Sequence, residues 1–431
     1  MKTTPTCPTD FLDDLRRRGL VHETTPELEA ALRTAPVTGY IGFDPTAASL
    51  HVGSLLPIFC LARLQRAGHR PIAVAGGGTG LIGDPSGKTA ERQLMTVEKV
   101  EENLAGIQRQ LANFLDFEAA ANPARMVNNH EWLGAQKLLE FLRDTGKHFK
   151  VNVMLKRESV ARRLESEEGI SFTEFSYQLL QAFDFLMLFD HYGCTLQMGG
   201  SDQWGNIVAG IDLIGRTRGG KAHGLVMPLM TTSTGAKFGK TESGAIWLTP
   251  ERTSPYAYYQ FWFNATDEDA LRYLRFFTFL PLEQLDEIEA AHLKEPAERL
   301  AQRTLAREVT RATHGPEALA RAERISHSLF GEEVASLSAE DVLEGVGEVP
   351  TGSVPQTALG GDGAPVVDLL LAASVAGSKG EARRLIAAGG VYLNNRRLTD
   401  PNEKVTTAAS IDGQLLLFRK GRKGYHLLRL S

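Results

Sequence analysis

The first half of this sequence predicts an α/β fold built on a doubly wound parallel sheet, and three strand–turn–helix successions carry that expectation. The β-branched and aromatic run Val37 to Phe43 leads into a turn, Asp44 to Ser49, and then an apolar stretch of helical length, Leu50 to Leu64. Pro71 to Ala75 repeats the pattern and ends in G-G-G-T-G-L-I-G-D-P-S-G-K-T, while Arg125 to Asn128 gives a third short strand before a helix from Glu131 to Arg143. In a Rossmann-like sheet of this kind, ligands bind at the turns outside the carboxyl ends of the strands.

Composition bounds the rest. A chain of 431 residues is long for one core and suggests two or three domains, and 42 % hydrophobic with 23 % charged residues is ordinary for a globular protein. No apolar run approaches the roughly 20 residues that cross a bilayer, and the amino terminus lacks the apolar core of a signal peptide, so a cytoplasmic location is expected. Cys7, Cys60 and Cys194 offer neither a disulfide framework nor a C-x-x-C metal site. The net charge of −5 is unevenly divided: residues 365–431 hold 11 Lys and Arg against 5 Asp and Glu, which leaves −11 on the residues before them. A basic tail on an acidic body is the usual electrostatic footprint of a nucleic-acid partner.

Taken in order, Asp10 to Thr34 reads as two packing helices, the second starting at Thr25-Pro26-Glu27. The helix after the first strand is expected to begin near His51. Its first amides, those of Val52, Gly53 and Ser54, would lack intrahelical partners and so offer a phosphate site, and an imidazole there can donate to an oxygen whose charge grows in a transition state. The glycine-rich segment after Ala75 invites a phosphate-loop reading, but only three residues separate Gly83 from Gly87, where that motif needs four. Close backbone approach to a ligand, with Asp84 projecting from the turn, fits better. Val97 to Phe117 is expected to be helical. On the helix within Ile170 to Tyr192, Tyr177, Gln181 and Asp184 stand at i, i+4 and i+7, so one face shows a phenol, an amide and a carboxylate in a row. A polar stripe on an apolar helix needs a polar partner. Cys194 to Met198 reads as a strand with Gln203 just beyond its carboxyl edge. Ser254 to Leu329 reads as helical with breaks at Pro281, Pro296 and Pro316, and 331–364, with seven Gly, seven acidic residues and no Lys or Arg, reads as a partly ordered linker.

These motifs carry a resemblance. L-H-V-G-S, residues 50–54, resembles the "HIGH" signature of class I aminoacyl-tRNA synthetases, with Ser54 where the family usually has a second His. K-F-G-K-T, Lys237 to Thr241, resembles the family's "KMSKS" loop with Phe238 and Gly239 replacing Met and Ser. Y-I-G-F-D-P-T, G-D-P-S-G-K, Y-Q-L-L-Q-A-F-D and Q-M-G-G-S-D-Q-W-G-N are similar, in order and spacing, to bacterial tyrosyl-tRNA synthetases, and the likeness spans nearly the whole chain. Ser378 to Asn395 resembles an RNA-binding domain shared with a small-subunit ribosomal protein, in which a basic helix and a tight turn meet the RNA backbone.

The resemblance implies a tyrosine–tRNA ligase that makes tyrosyl-adenylate from L-tyrosine and ATP, with Mg2+ carried by ATP and no tightly bound cofactor, and then charges its tRNA. It implies a catalytic domain over 1–245, a helical domain over 246–330, the linker over 331–364, and a small α+β RNA-binding domain over 365–431. His51, Thr46, Lys237, Lys240 and Thr241 would be catalytic, and Gly42, Gly53 and Ser54 would join His51 and Lys240 around ATP. Tyr177, Gln181 and Asp84 would hold the α-amino group, Tyr40 and Asp184 the phenolic hydroxyl, and Gln203 and Asp44 would line the pocket. Lys88 and Arg92 are further candidates for pyrophosphate or tRNA, and Lys379, Arg383 and Arg384 for RNA. The family is homodimeric, with Phe172 in the matching interface segment. A tryptophan-specific relative and a non-catalytic RNA-binding derivative remain as alternatives; the first offers no hydroxyl to Tyr40 and Asp184, and the second would be expected to have lost His51 or Lys240.

Overall fold

A computed structural model describes residues 10–84, 95–165, 169–233, 235, 238–241, 244–330, 334–421 and 424–431, with the backbone alone at a few of these, Lys240 and Thr241 among them. Lys88, Arg92 and Lys237 lie outside the described residues. Two compact units emerge, one of Met1–Thr253 with Trp262–Thr313, the other of Ser254–Phe261 with His314–Ser431.

The first unit holds the expected parallel sheet. Its strands β1 (Glu23–Thr24), β2 (Thr38–Phe43), β3 (Arg70–Ala75), β4 (Arg125–Asn128), β5 (Cys194–Gly200) and β6 (His223–Met227) lie in the order β1-β6-β5-β2-β3-β4. All neighbours are parallel except β1, which pairs antiparallel with β6. The chain runs outward from β2 through β3 to β4, then returns to the other side of β2 as β5. That reversal makes the carboxyl ends of β2 and β5 the switch point at which doubly wound sheets bind ligands.

Alternation along β2 assigns the two faces. A Cβ on Gly39 would meet Leu64 of the Leu55–Arg66 helix at 2.9 Å, whereas the Tyr40 ring makes an edge contact at 5.3 Å with Phe185 of the Phe172–Tyr192 helix. Tyr40, Ile72, Val74 and Val127 from the sheet share a core with Trp132, Ala182, Phe185, Leu186 and Leu213. The Phe172–Tyr192 helix starts at Ser171, whose hydroxyl accepts from the Glu174 amide at 3.2 Å, satisfying one of the amides a helix start leaves open.

Helix ends differ from expectation in three places. A single turn of 3-10 helix, Val52–Ser54, precedes the Leu55–Arg66 helix. The helix read as Glu131 to Arg143 is two, His130–Leu133 and Leu138–Asp144, and that read as Val97 to Phe117 ends at Leu111. Beyond residue 254 come helices Pro255–Phe263, Asp267–Phe277, Leu282–Lys294 and Leu300–Phe330. The break before Asp267 is set by Thr266, which caps the Asp269 amide, and the last helix is kinked at Gly315 (φ 86°, ψ 172°), since Pro316 cannot donate to the helical ladder. This helical stretch is divided between the two units.

After the two-stranded hairpin β7 (Lys240–Thr241) and β8 (Gly244–Ala245), the remaining strands belong to the second unit. They are β9 (Thr351–Val354), β10 (Ala364–Pro365), β11 (Val391–Leu393), β12 (Arg396–Arg397), β13 (Lys404–Val405), β14 (Leu415–Lys420) and β15 (Gly424–Leu430). Five form a sheet in the order β12-β11-β14-β15-β9, and its core is shared with helices Val366–Ala372 and Lys379–Ala387. The stretch 331–364, expected as a partly ordered linker, contains the helix Ala339–Val346 and β9, which pairs in parallel with β15.

Candidate active site

The carboxyl edge of the sheet gathers the polar residues that the sequence singles out on separate elements. Asp184, 3 % exposed, has both carboxylate oxygens engaged: Oδ1 accepts from Trp132 Nε1 at 2.7 Å and Oδ2 from Asn129 Nδ2 at 2.8 Å. Burial nevertheless pushes its pKa up from the ordinary carboxylate value to about 7, the two hydrogen bonds opposing that rise. The Tyr40 hydroxyl is buried and has no hydrogen-bond partner among the described residues. Its pKa is driven well up by burial and then by the nearby charge of Asp184, so the phenol stays neutral.

Tyr177 is also buried, and its pKa is raised first by burial and then by Asp44, Asp84 and Asp184, against a hydrogen bond with Thr79. Three carboxylates therefore bear on one phenol. Beside it runs a chain of amides: Gln203 Nε2 donates to Asp84 Oδ2 at 2.8 Å, Gln181 Nε2 to Gln203 Oε1 at 3.2 Å, and Asn206 Nδ2 to Gln181 Oε1 at 2.9 Å. Such an arrangement suits a small ligand carrying one cation and one neutral hydroxyl.

Asn129, Trp132, Thr79 and Asn206 are the residues that sequence reasoning missed. Asn129 is the most connected: besides Asp184, its Nδ2 donates to Thr79 Oγ1 at 2.9 Å and its Oδ1 accepts from the Gly78 amide at 2.7 Å. The available signal was the pair Asn128-Asn129 at the carboxyl end of β4.

The second cluster surrounds His51, and here the expectation of open amides is corrected. None of the three amides is open: the Val52 amide donates to Ile246 O at 2.9 Å, Gly53 to His51 Nδ1 at 3.0 Å, and Ser54 to His51 O at 2.8 Å. His51 is thus the side-chain cap of its own turn. Because Nδ1 accepts, the neutral ring carries its proton on Nε2. Gly53 is needed for the ring, since a Cβ there would lie 2.6 Å from His51 Cε1. Ser54 makes no side-chain cap, Thr46 is exposed on the Asp44–Ser49 turn, and Gly42 is exposed near the end of β2 with open space where a side chain would be.

The lysine segment meets this turn. Leu248 donates to Leu50 O at 2.9 Å and Ile246 to Gly239 O at 3.2 Å, so the strand leaving the hairpin is bonded on both sides. Gly239 (φ 79°) lies so close that a Cβ would be 2.6 Å from Val52 Cγ2. Its neighbour Phe238 is buried, stacked on Phe277 at 5.6 Å and edge-on to Tyr273 at 5.0 Å. Both lysines therefore flank a fixed segment, although the structure describes neither side chain. In the second unit, Arg383 and Arg384 are exposed, and Lys379 pairs with Asp368 at 2.5 Å.

The model of class I tRNA synthetases (W and Y) matches residues 32–331. The chain belongs to that family. A second model, the tyrosine–tRNA ligase SYY-like C-terminal domain, matches residues 348–428. A tyrosine–tRNA ligase of Roseiflexus castenholzii is 57 % identical over 422 residues, covering 98 % of this chain and 100 % of that one. One of Geobacillus stearothermophilus is 51 % identical over 425 residues, covering 98 % and 100 %. Among solved structures, a C-terminally truncated mitochondrial tyrosyl-tRNA synthetase of Aspergillus nidulans is 33 % identical with a TM-score of 0.68, covering 75 % of this chain and 94 % of that one. With the family in hand, Gly239→Ala becomes a test of the contact between its two signatures. A side chain at Gly239 has no room beside Val52 and strains a left-handed backbone, so adenylate formation should fall at least about tenfold, with thermal stability lowered by about 1–3 kcal/mol. Single-turnover kinetics beside a melting curve checks this.

Proposed function

We propose that this chain is a tyrosine–tRNA ligase, which joins L-tyrosine to ATP as tyrosyl-adenylate and passes the tyrosyl group to the 3′-terminal ribose of its tRNA. The observation that carries the reading is the buried pair of Asp184, held by two donors, and Tyr40, whose hydroxyl lacks a partner among the described residues. A substrate phenol arriving there both donates and accepts, which an indole or a plain benzyl ring cannot do. Tyr177 and the Gln181–Gln203–Asp84 chain suit the α-ammonium group at the other end of the amino acid.

In the first step an oxygen of tyrosine's carboxylate forms a bond to the α-phosphorus of ATP, and the bond from that phosphorus to the bridging oxygen of pyrophosphate breaks. No base is needed, because a carboxylate is ionised at neutral pH. Catalysis then rests on placing the reactants and countering charge at phosphorus. His51 donates from Nε2 and Thr46 meets the phosphates, and the family resemblance gives Lys237, Lys240 and Thr241 the role of countering phosphate charge. ATP brings its magnesium with it. Gly42 leaves room for the nucleotide, with Gly53 and Ser54 beside it, and Asp44 lines the pocket. In the second step a hydroxyl of the terminal ribose attacks the tyrosyl carbonyl and AMP departs. Lys379, Arg383 and Arg384 hold the RNA backbone.

A homodimer working in the cytoplasm completes the reading. Phe172 is 78 % exposed, and Leu138, Leu139, Leu142, Val151 and Val153 nearby in sequence are also exposed, an apolar set that a second copy would cover.

Pyrophosphate exchange measured against a panel of amino acids tests the function: exchange with tyrosine alone is expected, and exchange with tryptophan or phenylalanine but not tyrosine would overturn it. The raised pKa of Asp184 adds a pH prediction. The phenol donates best to the ionised carboxylate, so kcat/KM for tyrosine should rise with pH through about 7, a step that Asp184→Asn abolishes. For stability the sign is the reverse. The folded chain holds a proton that the unfolded chain has lost between the ordinary value of 3.8 and about 7, so this residue's contribution weakens as pH rises across that window.

A further inference from the structure

The second unit contains a connection that the basic-module reading leaves unused. The last carbonyls of a helix have no partners within it, and at the end of the Leu300–Phe330 helix two of them are met from the sheet. Asn395 Nδ2 donates to Leu329 O at 2.8 Å and to Ser328 O at 3.3 Å, and the Tyr425 hydroxyl donates to Leu329 O at 3.1 Å. At the next helix the polarity is reversed. The Ala339 amide, first in the Ala339–Val346 helix, donates to Asp412 Oδ2 at 2.7 Å. Donors thus sit at a carbonyl end and a carboxylate at an amide end, the sense that each helix dipole favours.

The Asn395 and Asp412 contacts come from tight turns with left-handed residues, and Tyr425 lies in β15. Asn394 (φ 45°) and Asn395 (φ 62°) make the two-residue connection between β11 and β12, and Asp412 has φ 50°. Their side chains are divided in use. Asn394 is turned inward, donating to Ala409 O at 2.7 Å and accepting from the Leu417 amide at 3.0 Å. Asn395 Oδ1 accepts from Arg419 Nε at 3.3 Å, which fixes the amide so that its nitrogen meets the helix end. Arg419 is itself held on the Tyr392 ring at 3.9 Å.

We propose that Asn395, Tyr425 and Asp412 form a lock between the C-terminal module and the helix pair before it, and that this lock sets the angle at which Arg383 and Arg384 are presented to tRNA. Asn395 is then a positioning residue rather than an RNA contact. The inference rests on the tRNA-charging reading above, because the lock matters only if one tRNA must engage the basic helix and the synthetic site together. Two surfaces sharing one ligand gain from each other only when their geometry permits simultaneous engagement.

The test uses the full chain. Asn395→Gly removes the amide while keeping a backbone that glycine adopts without cost, and Tyr425→Phe removes only a hydroxyl. The double variant should show unchanged pyrophosphate exchange, KM for tRNA raised about tenfold with kcat for charging within about twofold, and an unchanged salt slope of tRNA binding, because no phosphate contact is lost. Arg383→Ala should instead lower that slope. Faster hydrogen exchange at the Ala339 amide in Asp412→Gly, with KM for tRNA raised as well, would support the lock from its other side. An unchanged KM for tRNA in the double variant, or a reduced salt slope, would overturn it, and Tyr425→Phe alone keeps the test open should the double variant fold poorly. Failure of the wild-type chain to exchange pyrophosphate with tyrosine would overturn the functional reading instead, so the two failures are distinct.

Discussion

His51→Ala should slow adenylate formation about 10²- to 10³-fold while leaving tyrosine binding within about twofold, the pattern of a group that acts only in the transition state. Two roles of His51 have to be separated. Its Nδ1 accepts from the Gly53 amide and closes the turn, and in the proposed mechanism Nε2–H donates toward the phosphates. Alanine removes both. His51→Asn separates them, because an asparagine oxygen is among the best acceptors at a cap while its short amide cannot reproduce the reach of Nε2. Both variants should therefore lose rate alike, but only alanine should lose about 1 kcal/mol of stability. Stopped-flow measurement of adenylate formation, beside equilibrium dialysis of tyrosine and a urea melt, distinguishes the roles. Recovery of most of the rate in His51→Asn would mean that the imidazole is a structural cap.

The sequence was most legible where one element carries its own chemistry. The i, i+4, i+7 stripe of Tyr177, Gln181 and Asp184 needs only a helix, and the order of strand, turn and helix predicts the sheet. Legibility failed where the partner comes from elsewhere in the chain. That Val52 donates to Ile246, satisfying an amide expected to be open, depends on a strand far along the sequence. Asn129 and Trp132 likewise hold Asp184 only because the end of β4 lies beside the Phe172–Tyr192 helix. The stretch 331–364 misleads for a different reason. Glycine and acidic residues without lysine or arginine resemble a linker, but β9 joins its sheet through backbone hydrogen bonds to β15, to which composition is blind.

Asp184 and Tyr40 should respond to substitution in opposite ways, and that opposition tests the pocket assignment more sharply than loss of activity would. Asp184→Asn replaces a charged acceptor with a neutral amide that has one acceptor oxygen and an NH2 group. Either Asn129 or Trp132 then faces a donor and is left unpaired in a buried site. The expected cost is roughly 1.5 to 3 kcal/mol of preference for tyrosine over phenylalanine, or inactivation, together with a protein whose site is less well held. On the proposed assignment Tyr40→Phe removes one neutral partner of the substrate hydroxyl, which should cost about 0.5 to 1.5 kcal/mol of the same preference. In the ligand-free protein, however, that hydroxyl is buried without a partner among the described residues, so its removal should raise stability by about 1 kcal/mol. The pair is resolved by the ratio of kcat/KM for the two amino acids, measured with melting curves in the absence of substrate. If both variants keep the wild-type ratio, the phenol binds elsewhere. If Tyr40→Phe lowers stability as well as preference, its hydroxyl already has a partner in the free protein, and the argument from an unpaired group that awaits the substrate must be given up.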